Sequence, residues 1–193
     1  MCYILHMRLH RFYIDKPITS ETFDISDRDL VHQWRNVFRY NVGSQVIFFD
    51  GTGTDFLCMI TSLRNLGASL AVVKKTKSRF VPQREVWLCA GIVKKDNFEL
   101  ITQKATELGV THIVPILCER SEKKNIHKER LEKIVIEASE QSGRGDIPRI
   151  HEANKIETLL SDQSLPKDKI VLYAGESGNF QFLIFKKKNC PKL

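Results

Sequence analysis

Glu140-Gln141-Ser142-Gly143-Arg144-Gly145 gathers a carboxylate, an amide, a hydroxyl and a guanidinium into six residues that end on a Gly-Arg-Gly turn. Groups of these types can take up a proton, read the hydrogen-bonding edge of a base or hold an anion. A carboxylate and an amide are costly to bury unpaired, so the cluster is either a ligand site or a structural network. Both readings stay open on the residues alone. Arg120, in the loop Glu119-Arg120-Ser121-Glu122 that leaves the apolar run THIVPILC, is a second chemistry-bearing position. Its guanidinium could clamp a phosphate or an anionic base with two parallel hydrogen bonds, or pair with Glu140 or Glu107 to fix a loop. Lys104 and Glu107 stand off the apolar stripe of the preceding helix, where surface charge and a pocket role both fit.

A different set lies near the amino terminus. Arg8, His10 and Arg11 precede the aromatic pair Phe12-Tyr13, and Arg35 and Arg39 share a helix face with His32 at a spacing of four. Brought together, these would make a phosphate-binding patch with stacking aromatics; kept apart, they are a solvated helix face. The histidines show no metal-ligand spacing and no cysteine stands in a CxxC pair. No GxSxG, phosphate-loop or GxGxxG motif occurs, so those enzyme classes find no support.

The elements that must position these groups are readable from pattern. SQVIFFD and TDFLCMITSL are apolar strands joined by DGTG, and Asn65-Leu66-Gly67 turns into ASLAVVKK. Closely spaced strands with glycine turns make a meander or small barrel, and DGTG is a hairpin turn because it opens no helix. Arg28 to Tyr40 forms a helix with Leu30, Trp34 and Phe38 on one face, capped by Asp27 or Ser26. Phe80 to Arg84 breaks the pattern and marks a boundary, giving an all-β unit over 1–80 and an α/β unit over 81–193.

In the second unit EVWLCAGIV is apolar throughout, as a strand covered on both faces is. Asp96 and Glu99 form a capping box for a helix whose apolar face is Phe98, Ile101, Ala105 and Leu108, ended by Gly109. Pro115 in THIVPILC predicts a bend or an edge strand. A helix over about Lys128 to Ser142, a short helix near Lys155 to Leu160 and the strand KIVLYA follow. Alternating strands and helices with short connections predict a parallel sheet, with ligands beyond its carboxyl ends. The loop Gly175-Glu176-Ser177-Gly178 would be one such position.

Composition narrows the class. The 193 residues are 42% hydrophobic and 27% charged, with no apolar run near the ~18 residues that cross a bilayer. Five scattered cysteines, Cys2, Cys58, Cys89, Cys118 and Cys190, read as reduced thiols of a cytoplasmic protein. The net charge of +7 is uneven: residues 1–80 carry 11 Lys and Arg against 7 Asp and Glu, whereas 81–154 carry 12 of each. A basic amino-terminal unit beside a neutral one predicts a polyanion-gripping module joined to a chemistry-bearing one.

MRLHRFYI, WRNVFRYNVGSQVIFFDG, KKDNFELITQKATELGVTHIVPILCERS and RLEKIVIEASEQSGRGDIPRI together resemble the RsmE family, from Met7 to about Asn179. That family methylates N3 of a uridine in 16S ribosomal RNA. The resemblance implies an amino-terminal PUA-like β-barrel for RNA and a SPOUT-type α/β domain that holds S-adenosylmethionine in a trefoil knot and works as a homodimer. It implies that Arg8, Arg11, Arg35 and Arg39 grip RNA. It also implies that Arg120, Glu140, Gln141 and Arg144, supported by Lys104 and Glu107, line or brace the catalytic cleft, with Glu140 a candidate for removing the N3 proton. The family's G-P-E-G-G and L-G-x-x-I-L-R-x-E-T-A segments have no counterpart here, and the chain ends FQFLIFKKKNCPKL. The expectation that follows is a carboxy-terminally truncated relative with an incomplete cofactor pocket. The alternative to a methyltransferase is then an inactive relative that binds only RNA or a partner subunit. Met7, where the resemblance begins, is a candidate start in place of Met1.

Overall fold

Alternating apolar residues and glycine turns build the first sheet of the computed structural model, which describes residues 9–118, 126–161, 169–174 and 180–185. Its elements are β1 (Arg11–Tyr13), β2 (Thr22–Ile25), α1 (Arg28–Asn36), β3 (Gln45–Phe49), β4 (Thr54–Leu63) and β5 (Ala68–Lys77). The strand order is β1-β3-β4-β5-β2, with β1 parallel to β3 and the other pairs antiparallel. Val46, Phe48, Phe56, Cys58, Ile60 and Leu70 form its buried face, and α1 closes it with Val31 and Trp34. Asp27 is the cap, accepting from the Leu30 N–H at 3.0 Å.

The helix stops at Asn36, short of the predicted Tyr40. The N–H groups of Val37 and Phe38 both turn back to the Gln33 carbonyl, that of Tyr40 to the Trp34 carbonyl, and Arg39 takes a left-handed φ of 55°. Val37, just past the helix end, is 66% exposed. DGTG is the β3–β4 hairpin turn. Asp50 accepts from the Thr52 N–H and hydroxyl, and Gly51 and Gly53 sit at φ 82° and 84°.

The second sheet starts with β6 (Trp87–Gly91), followed by α2 (Lys95–Glu107), β7 (His112–Leu117), α3 (Lys128–Ser142), β8 (Arg149–Ile150), β9 (Asn154–Lys155) and α4 (Ile156–Ser161). All its pairs are parallel, with β7 between β6 on one side and β8 and β9 on the other. The edge position predicted from Pro115 is therefore corrected, and the pairing shows why a proline is tolerated. The carbonyls of Thr111 and Ile113 accept from Arg149 and His151, so odd-numbered residues of β7 face the β8–β9 side. That side is interrupted between Ile113, which pairs with β8, and Ile116, which pairs with β9. Pro115, with no N–H to donate, faces the interruption.

The helices α2 and α3 cover one face through Phe98, Ala105, Leu131, Ile134 and Val135. The capping box at Asp96 and Glu99 does not form: α2 begins two residues earlier, with Lys94 as its cap and no side-chain cap bond. Asp96 instead lies in the first turn, where its charge opposes the positive end of the helix dipole. Leu108 is 85% exposed because the helix closes at Glu107 and the chain leaves through Gly109 at φ 93°. Two further strands, β10 (Lys169–Ala174) and β11 (Phe180–Phe185), form a separate antiparallel ladder. The predicted strand KIVLYA is thus present but pairs with β11, which the sequence reading missed.

Candidate functional site

The end of α3 meets the first sheet at a seam built on close backbone contact. Gly143 ends the helix in a left-handed conformation at φ 79°. The Gly145 N–H then donates to the Phe80 carbonyl at 2.9 Å, and the Gly53 N–H donates to the Gly145 carbonyl at 3.0 Å. A Cβ on Gly145 would fall 2.3 Å from the Ser78 side chain, so the Gly-Arg-Gly turn and the DGTG hairpin can touch only through glycine.

Two arginines clamp this seam. Arg11, on β1, donates from Nη1 to the carbonyls of Ser139 and Arg144, both at 3.2 Å, and from Nη2 to Asp55 at 2.7 Å. Its side chain is only 10% exposed and lies over the Phe49 ring, and the Ser78 hydroxyl donates to the same Asp55 oxygen. Helix α3 has no basic residue in its last turn, so Arg11 supplies the cation that its carboxyl end favours. Arg144 repeats the arrangement for α2. Its Nη1 donates to the carbonyls of Thr106 and Val110 at 2.7 and 2.8 Å, while Nε and Nη2 make a two-pronged pair with Asp146. Arg144 is 3% exposed, so it braces the cleft and does not line it.

Glu140 accepts the Tyr13 N–H at 2.8 Å, occupying an outward donor of the edge strand β1. Burial pushes its carboxyl up to about 7, with Glu137 adding to the rise and the Tyr13 N–H and Arg11 opposing it. It borders a cleft of about 1090 Å³ between the two sheets. His10, Arg11, Gln33 and Phe38 line one wall, and Glu107, Glu137, Glu140 and Gln141, with one cation, Lys133, line the other. Lys104 holds Glu107 in an ion pair at 2.9 Å on the surface of α2.

Arg35 and Arg39 stand elsewhere, sharing a shallow depression with Tyr40 and Asn41. They meet there because the chain turns after α1, rather than because both lie on the helix. Arg35 is oriented by the Leu63 carbonyl at 2.7 Å and the Asn65 side chain at 2.8 Å. The aromatics expected to stack are not available: Phe12 is buried in the core, and Tyr13 packs on Phe49 and bonds Asp15. Arg8, Arg120 and the loop at Gly175–Gly178 lie outside the described residues. The structure thus brings Arg11, Glu140, Gln141 and Arg144 to one seam, with Glu107 on the same wall of the cleft, and leaves Arg35 and Arg39 on the outer rim. Asp55, Ser78 and Asp146 complete the seam and were not foreseen.

The RNA methyltransferase domain family matches residues 81–191, more than half of the chain. The chain belongs to this family. Among similar proteins, the ribosomal RNA small subunit methyltransferase E of Rickettsia conorii is 29% identical over 88% of this chain and 68% of its own length. That of Bacillus subtilis is 33% identical over 82% and 63%. The solved methyltransferase E of Neisseria gonorrhoeae, bound to S-adenosyl methionine, superposes with a TM-score of 0.72 at 26% identity, covering 82% of this chain and 66% of that one. This member of the family therefore spans about two thirds of the length of the relatives it matches. Among its described residues no group of three or more His, Cys, Asp or Glu could hold a metal ion, and no helix is long and apolar enough to cross a membrane.

Proposed function

We propose that the chain serves S-adenosylmethionine-dependent methylation of 16S ribosomal RNA in the cytoplasm, at N3 of a uridine. The reading is carried by one observation: the cleft between the basic first sheet and α3 has a carboxylate-rich wall centred on Glu140. In this reading residues 1–80 are a PUA-like RNA-gripping module and 81–193 a SPOUT-type domain that pairs with a second copy. Carboxylates repel phosphate but accept hydrogen bonds from base N–H groups, so the cleft suits a base edge rather than a backbone. A carboxyl held near 7 is poised to take the N3 proton at neutral pH, because base and acid forms coexist there. Arg11 and Arg144 keep Glu140 in register with the first sheet, while Arg35 and Arg39 take phosphates outside the cleft. Gln141 and Arg120 would meet the base and its developing charge.

The cofactor supplies the electrophilic methyl group. Radiolabelled methyl transfer from S-adenosylmethionine to small ribosomal subunits tests the reading, with Glu140→Gln expected to lower the rate at least about a hundredfold. RNA binding without methyl transfer by the 193-residue chain would instead support the RNA-binding relative; neither binding nor transfer would overturn both.

A further inference from the structure

His10, Phe38 and Tyr40 come from two separated segments, yet their rings form one connected group. The His10 and Phe38 centroids are 4.1 Å apart with planes 31° apart, and Phe38 and Tyr40 stack at 5.5 Å and 29°. The Tyr40 hydroxyl and His10 Nδ1 lie 2.6 Å apart and tie the two outer rings together. From beneath, Trp34 meets Tyr40 edge-on at 6.2 Å and Phe12 meets Phe38 edge-on at 6.1 Å. Phe38 and Tyr40 are thus fixed on their inner side by the core and are half-buried, while His10 is exposed and held by those two rings.

The position of the group gives it meaning. His10 and Phe38 line the cleft that Glu140 borders, and Tyr40 lines the depression of Arg35 and Arg39. The rings therefore bridge a carboxylate-walled cleft and a basic rim. We propose that His10, Phe38 and Tyr40 are a stacking platform for unpaired bases of a single-stranded RNA whose phosphates follow Arg35 and Arg39. This deepens the proposed function and rests on its RNA reading.

Aromatic faces stack bases of any identity, but only bases released from a duplex can reach them. Fixed rings lose little freedom on binding, which favours such a platform. The Arg35 guanidinium uses two of its five donors on Asn65 and Leu63, leaving capacity for a phosphate in a preset orientation. The acidic wall keeps the backbone on the arginine side, with bases turned toward the cleft.

The test needs no altered protein at first. Fluorescence anisotropy compares binding of the full chain to a labelled ten-nucleotide oligouridylate, an abasic ribose-phosphate strand of equal length, and the oligouridylate annealed to a complement. The platform predicts at least about tenfold weaker binding to the abasic strand, and a preference for the single strand over the duplex. Equal affinity for the oligouridylate and the abasic strand would overturn it. His10→Ala with Tyr40→Leu should reduce oligouridylate affinity to the abasic level while leaving the salt dependence unchanged. Arg35→Ala with Arg39→Ala should lower the salt dependence and keep the preference for bases. If the ring variants bind normally and the arginine variants do not, the platform fails and the RNA reading stands. If no strand binds, both fail.

Discussion

The arginines of the seam and those of the rim look alike in the sequence but do opposite work. Arg11 and Arg144 are 10% and 3% exposed, and each donates to carbonyls at the carboxyl end of a helix while pairing with an aspartate. Arg35 and Arg39 are exposed beside a depression and donate to no helix end. A guanidinium's planar fork serves both purposes, so residue type cannot separate a structural clamp from a phosphate contact. Burial separates them. The same basic residues that raise the net charge therefore divide into those that hold the two sheets together and those left exposed beside a depression.

The contrast is broken most sharply at Arg144. Arg144→Ala strands Asp146 and the carbonyls of Thr106 and Val110, and should cost about 3–5 kcal/mol in urea unfolding; a loss below about 1 kcal/mol would remove it from the clamp. Arg11→Ala should cost about 2–3 kcal/mol, since charge-assisted bonds at a mostly buried site are lost. RNA affinity corrected for folding should hardly change. Gly145→Ala forces a Cβ into Ser78 and should cost about 1–3 kcal/mol, seen as a lowered thermal midpoint. At the rim, Arg35→Ala with Arg39→Ala should change stability by less than about 1 kcal/mol but flatten the logarithmic salt dependence of RNA binding by about 1.4.

The smallest effect is that of pH. Glu140 binds its proton more tightly folded than unfolded, so its contribution falls as pH rises from about 4.5 to about 7. At the amino ends of β6 and β7, the same end of the second sheet as the seam, His112 and His151 share a ring-nitrogen contact of 2.9 Å and stack with Trp87. Burial lowers both imidazoles below 6.5, so this pair loses stability as pH falls through that range. Glu140→Gln should raise relative stability at pH 7 over pH 5, measured by denaturant midpoints; an unchanged pH profile would contradict a buried carboxyl.

Most strands and helices were legible because their signals are local. The helix α3 was read at its observed bounds from its apolar spacing and Gly143, and the DGTG hairpin from its glycines. The misjudged features depend on neighbours. Pro115 reads as an edge residue unless the gap between β8 and β9 is known, and Leu108 reads as core unless α2 is seen to stop at Glu107. The seam was half legible: Glu140 and Arg144 announced a polar network, but their partners Tyr13, Thr106 and Val110 offer backbone atoms that no side-chain pattern reveals. The ring group was hidden because Phe12 and Tyr13 stand beside arginines in sequence, while the surface rings come from position 10 and from the turn after α1.

Photocrosslinking tests the central claim most directly. Single-stranded 16S ribosomal RNA fragments carrying 4-thiouridine would be bound to the full chain, irradiated, and the attachment sites located by mass spectrometry. The account predicts attachment within residues 9–13, 33–41 and 133–143, the two walls of the cleft and the rim between them. Attachment confined to the outer strand β5, or to the Trp87–His112–His151 end of the second sheet, would contradict it.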